Sequence, residues 1–455
     1  MAIGPPTGMR DWLPQDAMLR QRLMETIGGV YRLYGYLPVD TPAMEDLAVL
    51  LGKGGGENEK LLFKILKRGE KLTRAQQSGE LADYGLRYDL TVPLARFVAT
   101  HQGKLPAIFR RYHVGPVWRA DRPQKGRFRE FYQCDIDVVG GASSAYECEI
   151  ITATERVLKE LKVGKYRFRL SDKRLLPLLL EGYGATRDKI NPLLVTLDKL
   201  DKYSDINEAR RDLGIILARG SEASAKVDQL VQRFWAAGSH DEKYPQERLE
   251  EFRTQYLDMV SAPQIRKEID YLLDNLKAIM HAVVAINPHS SIVFHPILVR
   301  GMDYYTGPVY EAVVKGYSSS ILGGGRYDGL IGRFTGKSIP AVGCSLGFER
   351  ILTLLQERAS SQAATGVSRA LLIRDGEDEV RLHQQAEQLR NAGLCVETYL
   401  DKADVGKQLK YAEAAGLTWA IKYFDQGSSS LTVRHIPTRQ DRTLSLTEFR
   451  ALLSA

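Results

Sequence analysis

"FRRYHVGPVWRADRPQKGRFREFYQCDIDVVG", residues 109–140, decides the fold. Two strand-like runs flank a short connection, "RADRPQKGRFRE", where Pro123 and Gly126 turn the chain. The pattern predicts an antiparallel hairpin. The connection carries Arg119, Arg122, Lys125, Arg127 and Arg129, interrupted by acids only at Asp121 and Glu130. Read alone it is either a solvated basic loop or a clamp for polyphosphate or RNA backbone, since guanidinium forks match phosphate oxygens. The second strand favours the clamp. Successive strand residues face opposite ways, so Tyr132, Cys134, Ile136 and Val138 form an apolar face while Phe131, Gln133, Asp135 and Asp137 form the other. That second face needs water or a polar ligand. Carboxylates on a strand leaving an arginine loop suit a ligand that is cationic at one end and phosphorylated at the other.

Further stretches carry chemistry. "LRYDLTVPLARF" (86–97) reads as a strand with Arg87, Asp89 and Thr91 on one face and Tyr88 and Leu90 on the other. "LVRGMDYYTGPVYEAVV" (298–314) sets an arginine, an aspartate and two tyrosines before an apolar strand. It is a turn with aromatic packing or the wall of a site. "ILGGGRYDGLIGRF" (321–334) places three glycines before Arg326, Tyr327 and Asp328; they make a tight turn or let backbone approach a ligand. "AVGCSLGFERILTLLQER" (341–358) reads as a strand running into a helix, with Arg350 in its first turn, where anions are favoured.

The chain has 455 residues, 44% of them hydrophobic, enough for two to four domains with real cores. No segment resembles a membrane span or a secretory signal, and a cytoplasmic location is expected. Net charge is 63 − 56 = +7, compatible with a nucleic-acid partner without requiring one. From Arg369 onward basic and acidic residues balance, 12 of each, so the excess lies before it. Cys134, Cys148, Cys344 and Cys395 sit far apart, without zinc or redox spacing, and are expected as buried thiols.

Residues 1–171 and 291–357 read as an α+β core built on an antiparallel sheet, interrupted by a mostly helical insertion at 172–290. The small, polar stretch 358–368 reads as a linker. Residues 369–455 alternate strands and helices, implying a small α/β domain with a largely parallel sheet.

Together these stretches resemble the histidyl-tRNA synthetases, a family of class II aminoacyl-tRNA synthetases. "GMRDWLP" resembles the family's amino-terminal signature, and "VDTPAMED" resembles class II motif 1, with Pro42 at the usual dimer-interface position. The arginine hairpin resembles motif 2, and "VGCSLGFERIL" resembles motif 3. "LVRGMDYYTGPVYE" and "GGGRYDGL" are similar to the two histidine-binding segments that set this family apart, and residues 369–455 to its anticodon-binding domain.

The resemblance implies a histidine–tRNA ligase that activates L-histidine with ATP and Mg2+, then passes it to tRNA(His), working as a homodimer. It implies that Asp89 and Gln133 hold the α-ammonium of histidine, supported by Thr91. Asp137 and Tyr305 would grip the imidazole, with Tyr327 nearby and Tyr304 in packing. Arg119 would bind the α-phosphate, Arg127 and Arg350 the β/γ end, and Arg300 the α-phosphate at the point of attack. Gln124 would approach the tRNA acceptor end, and no protein-held metal is assigned. The rival reading is a synthetase-like histidine-binding regulator of histidine biosynthesis that charges no tRNA. Such paralogues typically lack the last domain and lose motif 2 or motif 3 arginines, whereas Arg119, Arg127, Arg300 and Arg350 all stand here.

Overall fold

The computed structural model describes residues 3–52, 57–124, 126–200, 203, 205–217, 221–237, 249–298, 304–317, 319–359, 369–376, 378–425 and 429–454. The chain divides into two compact units, Met1–Asp11 with Arg20–Arg358, and Trp12–Leu19 with Ala359–Ala455.

The first unit is organised by an eight-stranded sheet. Its spatial order is Leu37–Pro38, Phe109–Trp118, Glu130–Val139, Ala341–Gly347, Leu322–Arg326, Pro308–Val314, Tyr166–Asp172 and Ile292–Phe294. Only the two edge pairs are parallel; the strands between them pair antiparallel. The arginine hairpin forms as the sequence predicts, in register from Phe109 opposite Val139 to Trp118 opposite Glu130. Residues directly across share a face. The register therefore sets Arg111 beside Asp137 and His113 beside Asp135, with Gly343 and Ser345 of the next strand on their other side.

The last six residues of Glu130–Val139 are all buried, so this part of the sheet is covered on both faces. Helix Ala145–Glu160 packs against strand Ala341–Gly347 and against helix Pro263–Ile286. On the latter, Ile269, Leu272, Leu273, Leu276, Ile279, Met280 and Val283 recur at helical spacing and are buried. The helices Leu175–Gly182, Arg187–Leu197, Ile206–Ile216, Glu222–Ala237 and Leu249–Leu257 precede it. A small antiparallel sheet pairs Met44–Asp46 and Lys64–Leu66 with Ala82–Leu86.

The stretch 86–97 departs from the expected strand. Strand pairing stops at Leu86, and a helix runs over Thr91–His101. The Asp89 carboxylate accepts the Val92 N–H at 3.0 Å, satisfying a donor that a helix start leaves open. Pro93 is the third helical residue, where its missing N–H costs nothing. Val92, Leu94, Ala95 and Val98 then bury one helical face. Asp89 and Thr91 therefore belong to a helix start, not to a strand. The glycines 323–325 lie inside a strand rather than in a turn. Three cysteines are buried as expected, but Cys395 is exposed.

The second unit carries a five-stranded sheet in the order Val396–Thr398, Ala370–Leu372, Trp419–Asp425, Ser430–His435, Gln440–Ser445. The first three strands are parallel and the last two antiparallel, so the sheet is mixed rather than largely parallel. The edge strand Gln440–Ser445 has no apolar alternation to announce it, and almost all of it is exposed. Helix Leu446–Ser454 follows, with Phe449 buried among Trp419, Leu431 and Val433.

Candidate active site

A cavity of about 340 Å³ opens beside the arginine hairpin. One end is carboxylate-rich. Asp135 and Asp137 come from strand Glu130–Val139, and Asp89 comes from the helix start; each is 2% exposed. Asp137 Oδ2 lies 2.8 Å from Nη2 of Arg111, which is fully buried, and the Tyr327 hydroxyl donates to Asp137 Oδ1. A side chain on Gly343 would place its Cβ 1.9 Å from that same oxygen. Glycine at 343 is what makes room for the Asp137 carboxylate.

Asp135 Oδ2 is 3.9 Å from Arg111 and its Oδ1 is buried without a hydrogen-bond partner. Asp89 Oδ2 is likewise unpartnered. Gln133 donates through Nε2 to Ser345 Oγ at 2.9 Å, while its Oε1 is buried and unpartnered. Such orphaned acceptors are rare in folded proteins and point to a missing donor. Tyr304 and Tyr305 close this end with ring centroids 5.0 Å apart, and Tyr304 is hydrogen-bonded to Thr91.

Burial pushes the Asp89 carboxyl up to about 6, partly offset by the Val92 N–H and the Arg119 charge. Burial also pushes Asp135 up to about 7, opposed by Arg111 and reinforced by the Asp137 charge. Asp137 is raised by burial against the pull of Arg111 and of the Tyr327 hydroxyl. The raised groups set a sign. Between the ordinary carboxylate pKa of 3.8 and about 6 to 7, the folded chain holds protons that the unfolded chain has released. These groups therefore favour the empty fold at low pH, and that contribution falls as pH rises through the window.

The other end is cationic. Arg119, Arg127 and Arg350 line it, with Phe128 and Phe131 between them. Arg119 donates through Nε to Tyr88 O at 3.0 Å and stacks 5.0 Å from the Phe131 ring centroid. Arg127 sits across the loop turn from Gln124, their backbones exchanging bonds of 2.8 and 3.2 Å, and faces Asp121 at 4.0 Å. Arg350 is the third residue of helix Phe348–Ala359 and donates to Ser320 O.

Of the expected site residues, Asp89, Thr91, Gln133, Asp137, Tyr305, Tyr327, Arg119, Arg127 and Arg350 converge on this cavity. Gln124 is exposed at the loop turn and does not line it. Arg300 lies outside the described residues. Asp135, read in the sequence on the ligand-facing side of its strand but given no role of its own, lines the cavity together with Ser345, and the buried Arg111 beside them carries no sequence signal. The hairpin register, readable once the loop is fixed, sets Arg111 opposite Asp137 and would have exposed the buried pair. Among the described residues, no cluster of His, Cys, Asp and Glu is arranged to hold a metal ion.

An antiparallel sheet carrying an arginine hairpin, with an arginine-bearing helix closing the same cavity, defines a class II aminoacyl-tRNA synthetase core. Comparison with known proteins narrows it. A family model described as histidyl-tRNA synthetase matches residues 8–351. A histidine–tRNA ligase of Leifsonia xyli subsp. xyli is 39% identical over 360 residues, 78% of this chain and 80% of that protein. One of Christiangramia forsetii is 32% identical over 96% of both. The crystal structure of histidyl-tRNA synthetase from Nostoc sp. PCC 7120 superposes over 100% of this chain and 99% of its own, with TM-score 0.80 at 24% identity. A Bacillus halodurans C protein described as an ATP phosphoribosyltransferase regulatory subunit/histidyl-tRNA synthetase shares the fold at TM-score 0.72 and 19% identity, over 90% of this chain and 97% of its own. The chain belongs to the histidyl-tRNA synthetase family.

Proposed function

We propose that histidine and ATP meet in this cavity with charges matched end to end. The chain is a histidine–tRNA ligase, and the observation that carries the residue assignment is the meeting of three buried aspartates and three arginines in one cavity. Asp89 and Gln133, each with an unpartnered buried oxygen, accept from the α-ammonium of histidine, and Thr91 supports them through Tyr304. Asp137 accepts from one imidazole nitrogen and the Tyr305 hydroxyl donates to the other. Tyr327 holds Asp137 in place. Arg119 takes the α-phosphate, and Arg127 and Arg350 take the β/γ end of ATP, which enters as its magnesium complex. Arg300, carried over from the family resemblance alone, stands at the point of attack.

The histidine carboxylate attacks the α-phosphorus and pyrophosphate leaves. Two anions approach one another, so fixed cations where charge accumulates lower the barrier; the remainder is positioning. The 3′-terminal ribose hydroxyl of tRNA then attacks the adenylate carbonyl and AMP departs. A phosphate oxygen of the adenylate is the proposed proton acceptor. An apolar amino acid of similar size would leave the buried carboxylate and hydroxyl unpaired, at roughly 1–3 kcal/mol each.

The arginines Arg119, Arg127 and Arg350 favour this reading over a non-charging regulator of the same fold. The test is direct: purified chain, histidine, ATP and a tRNA(His) transcript should yield histidyl-tRNA. Histidine binding without any acylation would support the regulator instead. Histidine affinity should also fall as pH drops from about 8 to 5.5, because the α-ammonium needs the ionised carboxylates and binding therefore releases protons. Calorimetry in buffers of differing ionisation heat would show that release, and Asp135→Asn should flatten the profile.

Residues 172–290 are proposed as an insertion near the acceptor stem, and 369–455 as the anticodon-binding domain joined by the 358–368 linker. Deleting everything after 365 should spare adenylate formation and lower tRNA charging at least tenfold; equal charging by the shortened chain would remove the last domain from tRNA recognition. A cytoplasmic homodimer is proposed as well. No helix among the described residues is long and apolar enough to cross a membrane.

A further inference from the structure

The signature near the amino terminus has no role in the chemistry above, yet it is built into the ATP end. The Met9 N–H donates to Pro6 O at 2.9 Å, folding the segment into a turn. From that turn Gly8 O accepts the Arg129 N–H at 2.8 Å, and Thr7 O accepts from Arg129 Nη1 at 3.4 Å. Arg129 is a keystone of the hairpin loop. Its carbonyl accepts the Arg119 N–H at 2.8 Å and its Nε donates to Asp121 O at 3.2 Å. One residue therefore links the segment to Arg119, and Arg129 is two residues from Arg127.

Two further contacts lock the same place. The Arg10 guanidinium lies 4.0 Å from the centroid of Phe128, a cavity-lining ring between Arg127 and Arg129. Stacked cations of this kind are attracted by the ring's negative face. Gly8 has φ +85, which disfavours any other residue. A Cβ there would also lie 2.8 Å from Pro123 and 2.9 Å from Arg129 side-chain carbons. Burial pushes the Glu349 carboxyl, next to Arg350 in the chain, up to about 7, opposed by the Tyr132 N–H it accepts at 2.9 Å and more weakly by the Arg10 charge.

We propose that residues 6–10 form a positioning strap that sets Arg119 and Arg127 around the triphosphate of ATP, with Arg10 and Gly8 as its positioning residues. The inference rests on the cationic end being the ATP end. The strap's contacts given above run to the hairpin loop at the ATP end, so its loss is expected to act on ATP and not on histidine. An arginine held by three neighbours before ATP arrives needs no ordering on binding; with the strap loosened, the loop must order each time.

The test compares Arg10→Ala, Arg10→Lys and Gly8→Ala in the full chain, by histidine-dependent ATP–pyrophosphate exchange. Arg10→Ala and Gly8→Ala should raise KM for ATP about tenfold, with KM for histidine within twofold; the melting temperature should hold in Arg10→Ala and fall slightly in Gly8→Ala, where φ +85 is strained for alanine. Arg10→Lys, which keeps a cation over the ring, should recover part of the loss. Amide hydrogen exchange on the ligand-free proteins gives a second readout. The Arg129 amide should exchange at least tenfold faster in Arg10→Ala than in wild type. Parallel rises in both KM values, no rise in either, or an Arg129 amide equally protected in both proteins would overturn the strap. A wild-type chain without exchange activity would overturn the assignment of the cavity instead, and the amide comparison would still decide the strap.

Discussion

Arg119→Ala is expected to slow histidyl-adenylate formation by about 10²–10³-fold, ~2.7–4 kcal/mol, the range for removing one preorganised donor from a developing anion. Arg119 is fixed before substrate arrives. Its Nε is bonded to Tyr88 O at 3.0 Å, its guanidinium carbon lies 5.0 Å over the Phe131 ring centroid, and its backbone N–H is tied to Arg129. The loss should appear in kcat, since the interaction strengthens as charge builds on the α-phosphate, and histidine binding should change little. Arg119→Lys keeps the charge but not the planar fork, and should recover only a minor part of the rate. A single-turnover measurement of adenylate formation reads this directly; near-normal rates in Arg119→Ala would remove Arg119 from the reaction.

Asp137→Asn is expected to lower kcat/KM for histidine by roughly 10²-fold or more, with KM for ATP nearly unchanged. The substitution preserves shape but removes the charged acceptor for the imidazole. It also deprives the fully buried Arg111 of the counterion 2.8 Å away, leaving it Asp135 at 3.9 Å. Breaking one side of a buried pair is destabilising by roughly 3–5 kcal/mol when the charge is left uncompensated. The double variant Arg111→Leu/Asp137→Asn removes both charges together and should regain much of the lost stability while staying inactive towards histidine. That split separates the two roles of Asp137. Recovery of activity along with stability would show that Asp137 serves only to neutralise Arg111.

The hairpin was legible because its signals agree: two strand-like runs, a turn with Pro123 and Gly126, and alternation that puts Gln133, Asp135 and Asp137 on one face. Motif 3 was legible for the same reason, a strand ending at Gly347 and a helix carrying Arg350. Asp89 was found as a residue but placed on the wrong element. The run "LRYDLTV" alternates like a strand, and the side-chain bond from Asp89 to the Val92 N–H, which a helix start accommodates, outweighs that alternation. The glycines at 323–325 leave a tight turn and a close backbone approach equally open in the sequence, because what packs against them is a tertiary fact. A Cβ on Gly324 would sit 2.3 Å from that of Cys344. Arg111 escaped notice because a lone arginine in a strand gives no sign of burial; only pairing with strand Glu130–Val139 supplies its carboxylates. The strand Gln440–Ser445 was missed because an exposed edge needs no apolar pattern.

Histidine-dependent ATP–pyrophosphate exchange tests the central claim most directly, that one cavity holds histidine at its carboxylate end and ATP at its arginine end. The chain should exchange labelled pyrophosphate into ATP only when L-histidine is present, with no exchange above background for apolar amino acids of similar size. Exchange that is absent with histidine, or equal with and without it, would contradict the assignment.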